Sequence, residues 1–380
     1  MASDAGLSFK VVDEDSVQRF IRSAAYNELI DFITHLNSSV VAVEMHPLDH
    51  FYSREDATEV ATPTGEVAAP TGEVAAPTGE VAAPTGEVAA PTGEVTTPTG
   101  EVTTPAANVA TPTGEVTPPS EQVENILLIS RNVQNVLTLV KRMDKCIDLC
   151  PPIKQPTRFG NKGFQLFCDE YYKEIDESLP EILAQSGLKN LSEHTFQLGY
   201  YLKNSVGNRK RIDYGTGHEL NFLLFLFCLN KLQFFGPPDH KHLVLVLYRQ
   251  YLECVRRIQI TYTVEPAGSR GAWGLDDFQF LVFLFGAAQL SYNTQIKTDD
   301  IEKKELLELW APKYLYFDAL KYISMLKHAP FHESSQMLYD ISGVETWEKI
   351  CSGLLKMYQA EIIQKRQILQ HILFGKLIDF

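Results

Sequence analysis

The chain has no Cys-x-x-Cys pair, no excess of basic charge and no apolar run near the length of a membrane span. Each absence removes a class of function. Its 34 lysines and arginines are outnumbered by 48 aspartates and glutamates, giving a net charge of −14. That balance argues against a general binder of nucleic-acid backbones or anionic membranes, so neither is expected as a partner. The most apolar stretches, Phe222–Leu229 and Phe280–Ala288, fall far short of the ~18–20 residues that cross a bilayer and read as buried helix cores. Cys146, Cys150, Cys168, Cys228, Cys254 and Cys351 show no zinc-type spacing and are expected to be buried free thiols of a reducing compartment. The opening MASDAGLSFKVVDEDS carries no apolar segment of signal-peptide type, so a cytoplasmic location is expected, with the nucleus also open. The motifs G-x-S-x-G, H-E-x-x-H, G-x-G-x-x-G and G-x-x-x-x-G-K-[ST] are missing too, which leaves nucleophilic, dinucleotide and P-loop chemistry without support.

What is present first is a repeat. From Ala61 to Pro118 the chain reads PTGEVAAPTGEVAA and onward, with prolines at 63, 70, 77, 84, 91, 98, 105 and 112. The period is seven, yet proline in every heptad breaks a helix and excludes a coiled coil. One valine and two small residues per unit bury too little to offset ordering entropy, so disorder is expected. Seven repeat glutamates, with no lysine or arginine between Arg54 and Arg131, supply half of the net charge. The remainder of the chain is therefore only mildly acidic.

Elsewhere the period is helical. Val17, Phe20, Ile21 and Ala24, then Leu29, Phe32, Ile33 and Leu36, form a stripe before the repeat. Ile126, Ile129, Val133, Val136, Leu137, Val140 and Met143 continue it afterwards, and Cys351, Leu354, Leu355, Tyr358 and Ile362 mark a late helix. Sustained alternation is scarce, so the spacing predicts an all-α domain of roughly ten helices. The expected organisation is a disordered N-terminus (1–13), a first helical segment (14–57), the disordered repeat (58–120) and the main helical domain (121–380). A long insertion costs little more to close than a shorter one, so both helical parts can share one domain.

Three loops carry unusual chemistry: CPPIKQPTRFGNKG (150–163), VGNRKRIDYGTGHE (206–219) and EPAGSRGAWGLDDF (265–278). Loops rich in glycine, arginine and aromatics between apolar helices are common places for function. Thr216-Gly217-His218-Glu219 fits the capping box, with Thr216 as N-cap and Glu219 three residues on. The same helix start, with Arg209, Lys210 and Arg211 beside it, also suits an anion, and the residues leave both readings open. Asp276 and Asp277 are adjacent and do not face one direction, which disfavours a two-carboxylate catalytic pair. One is expected to cap the next helix, and the other suits a hard cation that shares phosphate oxygens. Trp273 reads equally well as a groove wall or as core. His218 and His371 read as packed or hydrogen-bonded side chains rather than bases.

Taken together, QPTRFGNKGF (155–164), YLKNSVGNRKRIDYGTGHE (201–219), EPAGSRGAWGLDDFQFL (265–281), GLLKMYQAE (353–361) and QHILFG (370–375) resemble the phosphotyrosyl phosphatase activator family, with RSAAY (22–26) a weaker match. The resemblance implies an all-α fold of core, linker and lid subdomains with a groove between them. It implies an activator that binds the catalytic subunit of serine/threonine protein phosphatase 2A, with the scaffold subunit as a further contact. ATP and Mg²⁺ are the implied cofactors, and peptidyl-prolyl cis/trans isomerase activity on proline-containing segments is implied as well. Carried onto this sequence, the ATP positions are Arg211, Thr216, Gly217, Gln367, Gln370 and His371. The Mg²⁺ positions are Gly271, through its carbonyl oxygen, and Asp277. Groove positions are Tyr214, His218, Glu219, Trp273 and Asp276. Gln367 stands where the family usually has proline, Arg366 beside it offers another phosphate partner, and Val282 replaces a second common proline. An amide must twist against a barrier of ~18–20 kcal/mol, and a groove that prefers the twisted form lowers it without a nucleophile. The competing expectation is a non-catalytic helical adaptor that binds the phosphatase without nucleotide chemistry.

Overall fold

A computed structural model describes residues 7–53, 127–188 and 191–380. The repeat expected to be disordered, and residues 1–6, lie outside them. Within the described residues the architecture is all-α, as the helical spacing predicts. The helices that position the site are α1 (Glu14–Ile21), α2 (Ala24–Ser39), α3 (Arg131–Leu149), α4 (Gly163–Gln185), α5 (Thr195–Lys203) and α6 (Thr216–Lys231). After them come α7 (Arg249–Tyr262), entered through a π-helical segment Leu243–Tyr248, and α8 (Leu281–Leu290). The later part holds α9 (Lys304–Trp310), α10 (Leu315–Leu326), α11 (Phe331–Ser334), α12 (Gln336–Ser342) and α13 (Trp347–Tyr358). α13 runs into a second π-helical turn, Gln359–Ile363, and the short α14 (Arg366–Leu369) follows.

Local chemistry sets the starts of the early helices. Ser16 N–H donates to Asp13 Oδ1 at 2.8 Å and starts α1, and Tyr26 N–H donates to Ser23 Oγ at 3.1 Å to start α2. Ser130 Oγ accepts from Val133 N–H at 3.2 Å and starts α3. The sequence stripe through Ile21 and Ala24 therefore spans two helices, broken at Ser23. Ile129 likewise falls outside its expected helix, in a two-residue strand. That strand, β2 (Leu128–Ile129), pairs in parallel with β1 (Tyr52–Ser53), in the register Tyr52↔Leu128 and Ser53↔Ile129. The chain thus leaves for the insertion and returns from it at adjacent positions.

α6 and α8 form the centre. Leu220 through Leu229 are all buried, as is every residue of α8. A helix apolar on every side belongs inside a larger body. α8 crosses α10 with the backbones almost touching, because a Cβ on Gly286 would lie 2.2 Å from the Tyr316 nitrogen. Both sides of the insertion share one hydrophobic cluster, from Val17 and Phe32 to Phe374 and Ile378. The six cysteines are buried and free, as expected.

The N-terminal expectation is corrected for residues 7–13. Ser8 and Phe374 exchange two backbone hydrogen bonds of 2.9 Å, and Val11 is buried. Only the bridge to the C-terminal segment at Phe374 holds it in place, and nothing local in GLSFKVV announces it. Among the described residues no helix is long and apolar enough to cross a membrane.

Candidate functional site

Two of the three loops meet at the start of α6. β3 (Asp213–Tyr214) pairs in parallel with β4 (Glu265–Pro266), and Ala267 N–H donates to the Tyr214 carbonyl at 2.8 Å. Gly215 sits in the join, where a Cβ would be 2.7 Å from the Ala267 oxygen. Inside the first loop, Asn208 Oδ1 accepts from Lys210 N–H at 3.0 Å and from Arg211 N–H at 2.9 Å. This tight turn drives Ile212 to a φ of 56°, a region that β-branched residues avoid. Its carbonyl is in turn held by Glu265 N–H at 3.1 Å.

The joined loops form one wall of a cleft of 780 Å³. Arg211, Asp213, Thr216, Gly217 and His218 line it from the α6 side, and Trp273, Asp276 and Asp277 from the second loop. The opposite wall is the C-terminal stretch, through Gln367, Ile368 and His371. Gly217 faces Ile368 so closely that a Cβ would touch it at 3.4 Å. A salt bridge from Arg270 to Glu361, 2.8 Å long, ties the second loop to the π-helical turn. The cleft therefore collects residues more than 150 positions apart, including five of the six ATP positions implied by the resemblance.

Several expected residues do not reach it. Tyr214 is completely buried, its hydroxyl 2.9 Å from that of Tyr251. Gln370 is exposed and donates to the Gln367 carbonyl at 3.2 Å. Gly271 lies outside the cleft lining, and its carbonyl oxygen accepts from Gly274 N–H at 3.0 Å.

Glu219 is the most instructive departure. The N-cap of α6 is Gly215, not Thr216, and no side chain caps that end. The Glu219 carboxylate points inward instead and accepts from Phe280 N–H at 2.8 Å, Leu281 N–H at 3.2 Å and Tyr248 O–H at 2.7 Å. It therefore caps the start of α8, a helix sixty residues later. Burial raises its pKa to about 7, only partly opposed by the Tyr248 and backbone hydrogen bonds. Asp276 accepts from Phe278 and Gln279 N–H groups, both at 3.0 Å, and so fixes the turn ahead of α8 rather than the helix itself. Burial raises its pKa as well.

The charges of the cleft are largely paired. Arg211 Nε donates to Asp213 Oδ2 at 2.6 Å, with its side chain 51% exposed. Burial works against the Asp213 carboxylate, but His218 and Arg211 outweigh it and hold the pKa below the usual range. His218 contacts the Asn204 carbonyl through Nδ1 at 2.8 Å, and its Nε2 lies 3.7 Å from Asp213 Oδ1. Burial, helped by the charges of Arg211 and His218, pushes the His371 imidazole below 6.5. It therefore acts at neutral pH as a hydrogen-bonding group more than as a charge. Asp277 is held by the Ser269 hydroxyl and by Lys327 Nζ at 2.9 Å. Of the three cations expected beside the helix start, only Arg211 lines the cleft. Arg209 is bound bidentate by Asp169 at 2.7 and 2.8 Å. Arg366 is likewise spent, on the Val12 carbonyl at 2.8 Å.

Other lining residues escaped the sequence reading. Phe9 arrives from the N-terminal segment, Met337 from α12 and Met357 from α13. No local pattern marks them, because only the packing brings them together. Asn221 did leave a signal, as the one polar residue in ELNFLLFLF after the glutamate. It is 4% exposed, lines the cleft and donates from Nδ2 to the Gly217 carbonyl at 2.9 Å.

Comparison with known proteins places the whole chain rather than the single site. A family model described as "Phosphotyrosyl phosphate activator (PTPA) protein" matches residues 8–380. The chain is 37% identical over 252 residues to a probable serine/threonine-protein phosphatase 2A activator 1 of Dictyostelium discoideum, covering 66% of this chain and 76% of that one. It is 42% identical over 254 residues to serine/threonine-protein phosphatase 2A activator 2 of Candida glabrata, covering 66% and 70%. A crystal structure of the PP2A phosphatase activator Ypa1 matches with a TM-score of 0.59 and 35% identity, covering 65% of this chain and 78% of that one.

Proposed function

The chain belongs to the phosphotyrosyl phosphatase activator family, and from that membership we propose that it activates serine/threonine protein phosphatase 2A by binding the catalytic subunit, with ATP held in the cleft beside α6. The observation that carries the nucleotide part is the start of α6 opening into the cleft. The Thr216 and Gly217 N–H groups precede the first intrahelical bonds and have no acceptor in their own helix, while the helix dipole adds a positive field. Arg211 supplies a half-exposed guanidinium at the same end. Across the cleft, His371 and the Gln367 backbone offer hydrogen-bonding groups to the rest of the nucleotide. These residues suit ATP, which when bound supplies a polyanion at a surface the phosphatase can share.

The cation pair implied by the resemblance suits its role less well. Asp277 is already neutralised by Lys327, and the Gly271 oxygen is already bonded. Isomerase activity is the secondary part of the proposal. Trp273 is 75% exposed at the rim, and Met337, Met357 and Leu275 continue an apolar face able to hold a proline-containing segment. Each tenfold acceleration needs only ~1.4 kcal/mol of preference for the twisted amide. Tyr214 and Glu219 take no direct part in this, because both are sealed beneath the cleft.

The test is a nucleotide titration with and without the phosphatase catalytic subunit, on the wild-type chain and Arg211→Ala. The expected result is ATP binding strengthened by the phosphatase and about tenfold weaker in the variant, a loss of ~1.4 kcal/mol. Absence of ATP binding in both conditions would leave a non-catalytic adaptor.

A further inference from the structure

The third unusual loop, residues 150–163, contributes nothing to the cleft lining, yet it is firmly built. Asn161 spans it, accepting from Ile153 N–H at 2.9 Å and donating to the Ile153 carbonyl at 2.8 Å. Gln155 accepts from Lys162 N–H at 3.0 Å. The Gly160 and Asn161 N–H groups donate to the Thr263 and Tyr262 carbonyls at 2.9 and 2.8 Å, which pins the loop to the end of α7. This framework turns apolar side chains outward. Ile153 and Phe159 are exposed, Phe159 by 55%, and the Arg158 guanidinium lies 5.2 Å from the Phe159 ring centre. Apolar and aromatic groups set among cations on a braced loop are the composition of a contact surface, not of a mere connection.

Charge narrows what can be met there. From Cys150 to Cys168 there is no aspartate or glutamate, while Lys154, Arg158 and Lys162 are exposed. The flanking acids are already matched, Asp148 to Arg257 and Asp169 to Arg209. Lys210 lies alongside, because Gln165 Nε2 donates to the neighbouring Arg209 carbonyl at 3.3 Å. Among the described residues none of these four cations has a carboxylate partner, so unmatched positive charge collects on a chain of net charge −14. Such a face suits an acidic segment that also carries apolar side chains. The chain itself contains one: each of the seven repeat glutamates is followed by a valine and preceded three residues earlier by a proline. Reach is not limiting. The 19 residues of α3 separate the β1–β2 pair from the loop, about 28 Å that roughly nine residues of extended chain would cover. Glu66 and Glu115, the outermost repeat glutamates, lie 13 residues after Ser53 and 12 before Leu127, so every unit can arrive.

We propose that this face is a docking surface for the acidic repeat of the same chain, with repeat glutamates against Lys154, Arg158, Lys162 and Lys210 and the neighbouring valine or proline against Ile153 and Phe159. A single exposed ion pair is weak and easily screened. Seven equivalent units held at both ends change that, because tethering puts each at a roughly millimolar effective concentration beside the face. The number of units then sets how strongly the repeat competes with any other acidic surface for this loop. The proposal stands apart from the nucleotide reading, since no residue of this face lines the cleft.

The test is crosslinking of the full-length chain with a water-soluble carbodiimide, which joins a carboxylate to a lysine amine only where the two touch, followed by peptide mapping. Repeat glutamates are expected to couple to Lys154, Lys162 and Lys210 at least fivefold more often than to Lys304 and Lys356, which are exposed on α9 and α13. The yield should be independent of protein concentration. It should fall several-fold in about 0.5 M salt, where the screening length is roughly 4 Å. The double variant Arg158→Glu with Lys162→Glu, altered only at exposed side chains, should lose most coupling at Lys154 and Lys210 with its helical circular dichroism unchanged. Coupling spread evenly over the exposed lysines overturns the proposal, as does no coupling at all, or coupling at Lys154 and Lys210 that survives the double variant. A yield that rises with protein concentration gives the face to the repeat of a second copy and overturns docking within the chain.

Discussion

Two carboxylates six residues apart flank the start of α6, and they behave in opposite ways. Glu219 looks inward, accepts three hydrogen bonds and joins α6 to α8. Asp213 looks into the cleft, shares one oxygen with a half-exposed arginine and turns the other towards His218 Nε2, 3.7 Å away. A buried polar group whose bonding is complete belongs to the architecture, whereas one left incomplete stays open to other partners. The contrast is therefore one between a carboxylate spent on the fold and a carboxylate that faces the cleft.

The sharpest way to break it is to remove the inner carboxylate. Glu219→Ala leaves the Phe280 and Leu281 N–H groups and the Tyr248 hydroxyl buried without an acceptor, at ~1–3 kcal/mol each before relaxation. A net loss of roughly 3 kcal/mol in denaturant unfolding is expected, and a loss below about 0.5 kcal/mol would show that α8 does not depend on this cap.

The next effect is a pH dependence. The folded-state pKa of Glu219 lies near 7 against an ordinary 4.5, so its contribution is present below pH 4.5 and is lost as pH rises through 7. Roughly 2–3 kcal/mol should separate pH 5 from pH 8 in the wild-type chain relative to Glu219→Gln. Parallel stability–pH curves for the two proteins would contradict the raised pKa. On the cleft side, Arg211→Ala should reverse the pattern, with unfolding unchanged to within about 0.5 kcal/mol and ATP binding tenfold weaker. Smallest of all on stability is Trp273→Ala: the ring is mostly in solvent, so unfolding should move by less than about 0.5 kcal/mol. A proline-peptide isomerisation assay should nonetheless fall several-fold, and unchanged turnover would remove Trp273 from the groove.

The same contrast explains what could be read in the sequence. Phe222–Leu229 and Phe280–Ala288 announce buried helices because burial on every side erases any polar face. The glycine turn before α6 is legible as a cleft wall through Arg211, Thr216 and Gly217. The fate of Glu219 was not legible, because T-x-x-E reads identically whether the carboxylate turns back to its own helix or across to another. Only the packing of α8 against α6 decides between them. Asp277 hid its partner for a similar reason, since Lys327 lies fifty residues away and no short-range pattern links them. Tyr214 is a groove position in what the resemblance implies, yet the β3–β4 join turns it under the loop.

The parallel clasp of Tyr52–Ser53 with Leu128–Ile129 has a practical and evolutionary meaning. Because exit and re-entry are side by side, the length of chain between them is almost a free variable for the fold, each doubling adding only about 0.6 kcal/mol of closure cost. Such a doorway tolerates growth and loss of repeat units by slippage at the level of the gene. It is also a natural port for grafting a tag or reporter while the cleft keeps its shape.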